Sequence, residues 1–146
     1  DSLSDLNQKK TPIIITPHFG EFSYLTGNDN HRIITKFSEV IKSSIENFNH
    51  TILLKQIPVC TINKNEVVVN TTGNPGMATA GTGDVLAGII AGLVAQGIDT
   101  FNAAMLGAFI HGKASDELLL SKGYRGQIAS DILEKIPLVI SEYEKL

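Results

Sequence analysis

The chain has 146 residues, of which 42% are hydrophobic and 18% charged, with a net charge of −3 at neutral pH. That length allows one domain with a real core, and the acidic balance gives no electrostatic footprint for nucleic acid. A single cysteine, Cys60, excludes an intrachain disulfide and a cysteine-cluster zinc site. No apolar run is long enough to span a bilayer. The opening DSLSDLNQKKTP lacks the basic head and apolar stretch of a signal peptide. A cytoplasmic protein with no membrane or nucleic-acid partner is the expectation.

Thr11–Thr16 (TPIIIT) is a short β-branched run closed by Pro17. Its apolar residues do not alternate, which predicts a strand buried on both faces, as in a parallel sheet. GEFSYLTG reads as one or two helical turns stopped by Gly27. Ile33, Ile34, Phe37, Val40, Ile41, Ile45 and Phe48 then recur at helical spacing, predicting one amphipathic helix with Lys36, Glu39, Lys42 and Glu46 in water. TILLK (51–55) is a second buried strand. IPVCTI (57–62) and EVVVN (66–70) flank the hairpin turn Asn63-Lys64-Asn65. An apolar helix over Val85–Gln96 carries Gly88 and Gly92 one turn apart, which would let a neighbouring backbone approach. A long helix follows, capped by Thr100 and ended by Gly123, and a last one has Ser130 as its N-cap and Pro137 inside it. The order predicts an α/β domain that feeds into a helical C-terminal part. With only one clear crossover, it looks like part of a larger domain.

Seven of the 13 glycines fall in the 28 residues from Asn70 to Gly97. A packed core gains nothing from this density, because each glycine costs conformational entropy. AGTGD (80–84) sits where a loop enters a helix. Backbone amides there point the same way and add to the positive end of the helix dipole. Gly81 and Gly83 leave room for an oxygen to reach them, and Thr82 can add a hydroxyl. Asp84 has two readings. It is a capping carboxylate as the first helical residue, or it is a base that takes a proton from a hydroxyl attacking phosphorus beside an anion hole. The pattern is not a P-loop, since no Gly-Lys-Ser/Thr follows, and it lacks the third glycine of a dinucleotide fingerprint.

NPGMATAGTGDVLAGIIAGLVAQG closely resembles the signature of the NAD(P)H-hydrate dehydratases, a branch of the ribokinase-like superfamily. TPHFGE (16–21) resembles that family's Thr-Pro-His-Pro-Gly-Glu segment, and HGKASDELLLSKGYRGQIASDILEKIP resembles its helical C-terminal segment. The resemblance implies a ribokinase-like three-layer α/β/α fold, with this chain as the C-terminal part of one domain and the N-terminal βα units missing. Asp1 stands at the last acid of the family's Asp-Ala-Asp-x-Leu segment. The implied activity is ADP-dependent dehydration of hydrated NADH and NADPH, with ATP in some members. Magnesium accompanies the nucleotide, and the enzyme is a homo-oligomer, often a tetramer. Carried over, Asp84 is the catalytic base and touches the hydrate. Gly81, Thr82 and Gly83 form the anion hole, with Gly83 also at the nucleotide phosphates. His18 binds the hydrated dinucleotide. The nucleotide segment falls on Lys55, Gln56, Ile57, Pro58 and Val59, where Gln56 replaces the usual glycine and Val59 a Thr or Asp. Phe19 replaces the usual Pro after His18. The alternatives are a small-molecule kinase of the same superfamily, or a nucleotide-binding fragment without turnover.

Of the other candidates, His111 reads as a helix-packing histidine, His31 and His50 as surface residues, and Cys60 as an inert buried thiol. Lys113, Asp116 and Glu117 read as a solvated face with local pairing, Arg125 as an exposed turn charge, and Tyr24 as either a base-stacking or a buried ring. No His or Cys pair has metal-ligand spacing, so no protein-held metal is expected.

Overall fold

Two short aliphatic runs, Ile14–Ile15 and Thr51–Leu54, pair in parallel and start the sheet on which the first half of the chain is built. The computed structural model describes residues 3–46 and 48–144, so Asp1 lies outside the described residues. The chain divides into two compact units, one ending at Val69 and the other beginning at Asn70.

In the first unit, a turn of helix α1 (Leu3–Leu6) precedes β1 (Ile14–Ile15), and β1 leads into helix α2 (Phe19–Thr26). Helices α3 (Asn30–Thr35) and α4 (Phe37–Glu46) cross over to β2 (Thr51–Leu54). Strands β3 (Val59–Ile62) and β4 (Val67–Asn70) complete a sheet of order β1-β2-β3-β4 among the described residues. The sheet is mixed, because β2 and β3 run antiparallel, with Leu53 opposite Thr61. All four residues of β2 are buried, as its unbroken apolar run requires, whereas β4 alternates. The ordered strand at Thr11–Thr16 is shorter than predicted. Only Ile14 and Ile15 join the ladder, although the Ile13 carbonyl still accepts from the Thr51 amide at 3.1 Å.

The predicted single helix over Ile33–Phe48 is broken at Lys36, whose backbone (φ −126°, ψ 33°) leaves helical geometry. The apolar period survives the one-residue break. Ile33, Val40, Ile41 and Phe48 all enter one core with Phe22, Ile52, Leu54 and Ile62. Ile34, predicted on the same face, is instead 69% exposed. At the hairpin turn, Asn63 Oδ1 accepts from the amides of Asn65 and Glu66, the local bonding that makes Asn a turn former.

The second unit is helical. A 3-10 turn (Pro75–Met77) leads to α5 (Thr82–Ala95), then α6 (Thr100–Glu117), the short α7 (Leu119–Lys122) and α8 (Ala129–Tyr143). Ile110, Ala114, Leu118, Ile132 and Val139 form its core, with Val85, Phe109 and Ile136 packed around them. The caps differ from expectation. Asp99, not Thr100, caps α6 by accepting from the Phe101 and Asn102 amides at 3.1 Å. A carboxylate can reach two orphan donors at once from that place. Helix α8 begins one residue before Ser130, and Asp131 reaches back to the Ile128 amide at 3.0 Å. Pro137 lies within α8, which continues through it.

Close backbone approach is made by α6 rather than α5. A Cβ placed on Gly88 or Gly92 would meet nothing within 4 Å. A Cβ on Gly112 would strike Thr72, lying 2.7 Å from its carbonyl carbon and 2.8 Å from the Gly73 nitrogen. Those are main-chain atoms and cannot swing aside. Gly112→Ala is therefore expected to lower stability by at least about 2 kcal/mol, despite a helix-propensity gain of about 1. Gly27→Ala has open space but a left-handed φ of 66°, and it should lose only about 1 kcal/mol. Urea unfolding midpoints of the two variants check the ranking.

Candidate active site

The predicted residues fall into two groups, one in each unit. In the first unit, His18 and Lys55 come together at the carboxyl ends of the parallel strands. The two residues form a parallel bridge beyond the ends of β1 and β2, and the Lys55 amide donates to the Pro17 carbonyl at 2.8 Å. Carboxyl ends of parallel strands are where open α/β sheets place ligands.

His18 is also the N-cap of α2. Its Nδ1 accepts from the Glu21 amide at 3.1 Å, and Glu21 Oε2 accepts from the His18 amide at 2.7 Å. This is a reciprocal capping box, with imidazole in place of the usual hydroxyl. Because Nδ1 accepts, the neutral ring carries its proton on Nε2. That nitrogen lies 3.5 Å from Glu21 Oε1, and the side chain is mostly exposed. Phe19 occupies the first helical position, where proline is favoured but not required. A groove of about 560 Å³ opens here, lined by Thr16, Pro17, His18, Glu21 and Tyr24 among others. Tyr24 is 83% exposed, so the sheet does not bury its ring.

Residues 55–58 form the turn from β2 into β3. The Gln56 side-chain amide folds back towards Cys60 Sγ at 3.7 Å, and Ile57 is exposed. The peptide between Ile57 and Pro58 is cis. Cys60 is a buried free thiol whose pKa burial pushes up, against a smaller lowering by Gln56. Burial therefore keeps its thiolate scarce.

In the second unit the glycine turn meets α5. Gly81 is the N-cap, in the left-handed region at φ 86°, and no side chain caps the helix. A Cβ there would also lie 3.2 Å from Ala129 Cβ. Thr82 opens the helix, so Asp84 is its third residue rather than its first. The Thr82 hydroxyl does not face outward as expected. It is buried and donates to the carbonyls of Met77 (2.8 Å) and Thr79 (2.9 Å). The Asp84 amide bonds to the Gly81 carbonyl at 3.1 Å. Among the described residues the Gly83 amide has no such partner, and it sits beside the exposed Asp84 carboxylate. The Gly81 amide likewise has no backbone partner among the described residues, so two open amides stand at the positive end of α5. Gly81 makes the turn, and Thr82 clamps it.

Two contributors are not visible in the motif itself. His111 of α6 is 5% exposed, hydrogen-bonded to the Thr82 main chain, with Nε2 buried and unpartnered among the described residues. Asp116, predicted to be solvated, instead accepts from the Gly73 amide and from Asn74 Nδ2, both at 2.9 Å. The signal for both lay in the small residues at helical spacing along α6: Ala104, Ala108, Gly112 and Ser115. Lys113 and Glu117 pair as expected, and Arg125 is exposed. His50 is half-buried, with its ring against Phe48. No three His, Cys, Asp or Glu side chains among the described residues converge as metal ligands, and no described helix is long and apolar enough to cross a membrane.

A sequence profile described as NAD(P)H-hydrate dehydratase matches residues 1–138. The bifunctional NAD(P)H-hydrate repair enzyme of Moorella thermoacetica is 42% identical over 135 residues, which are 92% of this chain and 26% of that protein. The ADP-dependent (S)-NAD(P)H-hydrate dehydratase of Neisseria meningitidis is 38% identical over 122 residues, 82% of this chain and 41% of that one. The solved ADP/ATP-dependent NAD(P)H-hydrate dehydratase of Bacillus subtilis, co-crystallised with ATP and Mg2+, superposes with a TM-score of 0.84 at 27% identity. It covers 90% of this chain and 48% of that one. A ribokinase from Arabidopsis thaliana, at 15% identity and a TM-score of 0.51, shares the fold alone. The fold is ribokinase-like, and the chain spans about a quarter to two fifths of the length of these curated relatives.

Burial lowers the His111 pKa from 6.5 to about 4, against a smaller raising by its Thr82 hydrogen bond. The unfolded chain therefore binds the proton first, and stability falls as pH drops from about 6.5 towards 4. Between pH 7 and pH 5 this residue should remove about 2 kcal/mol. Urea unfolding at the two pH values should show that loss in the wild type and not in His111→Leu.

Proposed function

The chain belongs to the NAD(P)H-hydrate dehydratase family, and on that premise we propose that it carries the base and the phosphate-facing turn of an enzyme that restores NADH and NADPH from their hydrates. The observation that carries the reading is the junction at Gly81–Asp84. There a helix without a side-chain cap presents the free Gly83 amide beside an exposed carboxylate.

Phosphoryl transfer asks for positioning and charge stabilisation more than for covalent chemistry by the protein. Asp84 accepts the proton of the hydroxyl on the hydrated nicotinamide ring as that oxygen attacks the terminal phosphorus of the nucleotide. The bond from phosphorus to the departing nucleotide breaks, and the Gly83 amide with the α5 dipole faces the charge on the phosphoryl oxygens. The ring carbon–oxygen bond then breaks, phosphate leaves with the electron pair, and loss of a ring proton restores the dihydronicotinamide. His18 donates through Nε2 to the hydrated dinucleotide, and Lys55, at the same strand ends, faces the nucleotide with residues 56–59. We take ADP as the phosphoryl donor, with ATP as the alternative. Magnesium would accompany the nucleotide on its phosphates.

Asp84→Asn in the complete protein is expected to reduce turnover about 10³-fold while nucleotide affinity stays within about threefold, since the amide keeps the shape but cannot take the proton. Recovery of dihydronicotinamide absorbance measures turnover, and titration calorimetry measures affinity. Retained turnover would remove Asp84 from the role.

A further inference from the structure

The segment that leads into the glycine turn is laid along one face of α6. Asn70 Nδ2 donates to the Ala108 carbonyl at 3.3 Å, and Thr72 Oγ1 donates to the Phe109 carbonyl at 3.0 Å. Gly112 lies flat against Thr72 and Gly73, with no room for a side chain. One turn further on, Asp116 takes the Gly73 amide on Oδ2 and Asn74 Nδ2 on Oδ1. Positions 108, 112, 115 and 116 share a helical face, so successive residues of the segment meet successive turns of the helix.

Asn74 is the hub. Its Nδ2 also donates to Ser115 Oγ at 2.8 Å, and Ser115 Oγ donates to Gln127 Oε1 at 2.6 Å. Gln127 Nε2 returns to Asn74 Oδ1 at 3.3 Å and also holds the Gly123 carbonyl at 3.0 Å. Three side chains thus close a hydrogen-bonded ring in which every bond runs the same way round. Ser115 is fully buried and Gln127 is 3% exposed, while Asn74 is half-buried. Asn74 Oδ1 additionally takes the Gly76 amide at 2.9 Å. A Cβ on Gly76 would lie 2.8 Å from that oxygen and from the Tyr124 carbonyl. The ring fixes the Pro75–Met77 turn, and the Met77 carbonyl is where Thr82 clamps the glycine loop.

We propose that Asn74, Asp116 and Gln127 are positioning residues that set the pose of the Gly81–Asp84 junction through the Pro75–Met77 turn. The proposal rests on the reading of Asp84 as the base. A base and an amide displaced by a fraction of an ångström lose transition-state geometry while substrate still binds, so the loss falls on kcat rather than KM.

The test exchanges donor and acceptor in the complete protein. Asn74→Asp sets a carboxylate against Asp116, and kcat should fall about 30-fold with both KM values within about threefold. Asn74→Asp combined with Asp116→Asn restores an amide–carboxylate pair of reversed polarity, and kcat should return to within about fivefold of wild type. Unchanged kcat in the single variant, or a loss that the pair does not recover, would overturn the proposal. Gln127→Met keeps the volume and removes both ring contacts, and it provides a readout independent of turnover. Amide exchange at Gly76 and at Asp84, whose amides bond to Asn74 Oδ1 and to the Gly81 carbonyl, should speed up at least about tenfold, and unchanged exchange would equally overturn the proposal. Asp84→Asn serves as the control: turnover retained there defeats the dehydratase reading of Asp84, and the exchange measurement still decides the positioning role.

Discussion

Thr82 donates one hydroxyl to two carbonyls, and the candidate site in the second unit depends on that contact. A helix N-terminus normally satisfies its first amides with a side chain from the residue before it. Here that residue is Gly81, in a left-handed conformation with nothing to offer. Helices α2, α3 and α6 are capped by His18, Asp29 and Asp99. In α5 the polar side chain stands one residue later and turns inward to fasten the loop. The Gly83 amide is left open while the turn stays tight. A hydroxyl at position 82 that pointed outward would add a ligand contact and lose the clamp.

Local features were the most legible in the sequence. The Asn63 turn, the Gly27 stop and the entry of a helix near Thr82 each follow from the residues within a few places of them. Cap assignments failed where two candidates were adjacent. Asp99 and Thr100 both suit an N-cap, and the carboxylate wins because it reaches two amides. Gly88 and Gly92 misled because glycine spacing within a helix gives no sign of which neighbour comes close. The close contacts lie at Gly112 and at Gly107, where a Cβ would fall 2.7 Å from the Ile90 side chain. Asp116 could not be read from local pattern at all, since its partners lie more than 40 residues away in sequence.

The candidate residues of the first unit show how one side chain can hold structure and chemistry together. His18 uses Nδ1 to start α2, and its exposed side chain also lines the groove. Its capping role is structural, and it leaves the second ring nitrogen outside the cap. Lys55 stands beside it because β1 and β2 are parallel and in register, so two residues 37 positions apart finish at one edge. The membership drawn from the long glycine motif agrees with the profile match over residues 1–138. The departure at Gln56 has a local counterpart, since its side chain turns back to Cys60.

A closed circuit of three hydrogen bonds has a sense of rotation. Turning over the Asn74 amide alone would set its nitrogen against Gln127 Nε2 and its oxygen against Asp116, and turning over Gln127 alone would set its oxygen against Asn74 Oδ1. The direction of the circuit therefore ties the amide orientations of Asn74 and Gln127 to each other, and through them the Pro75–Met77 turn to the far side of α6.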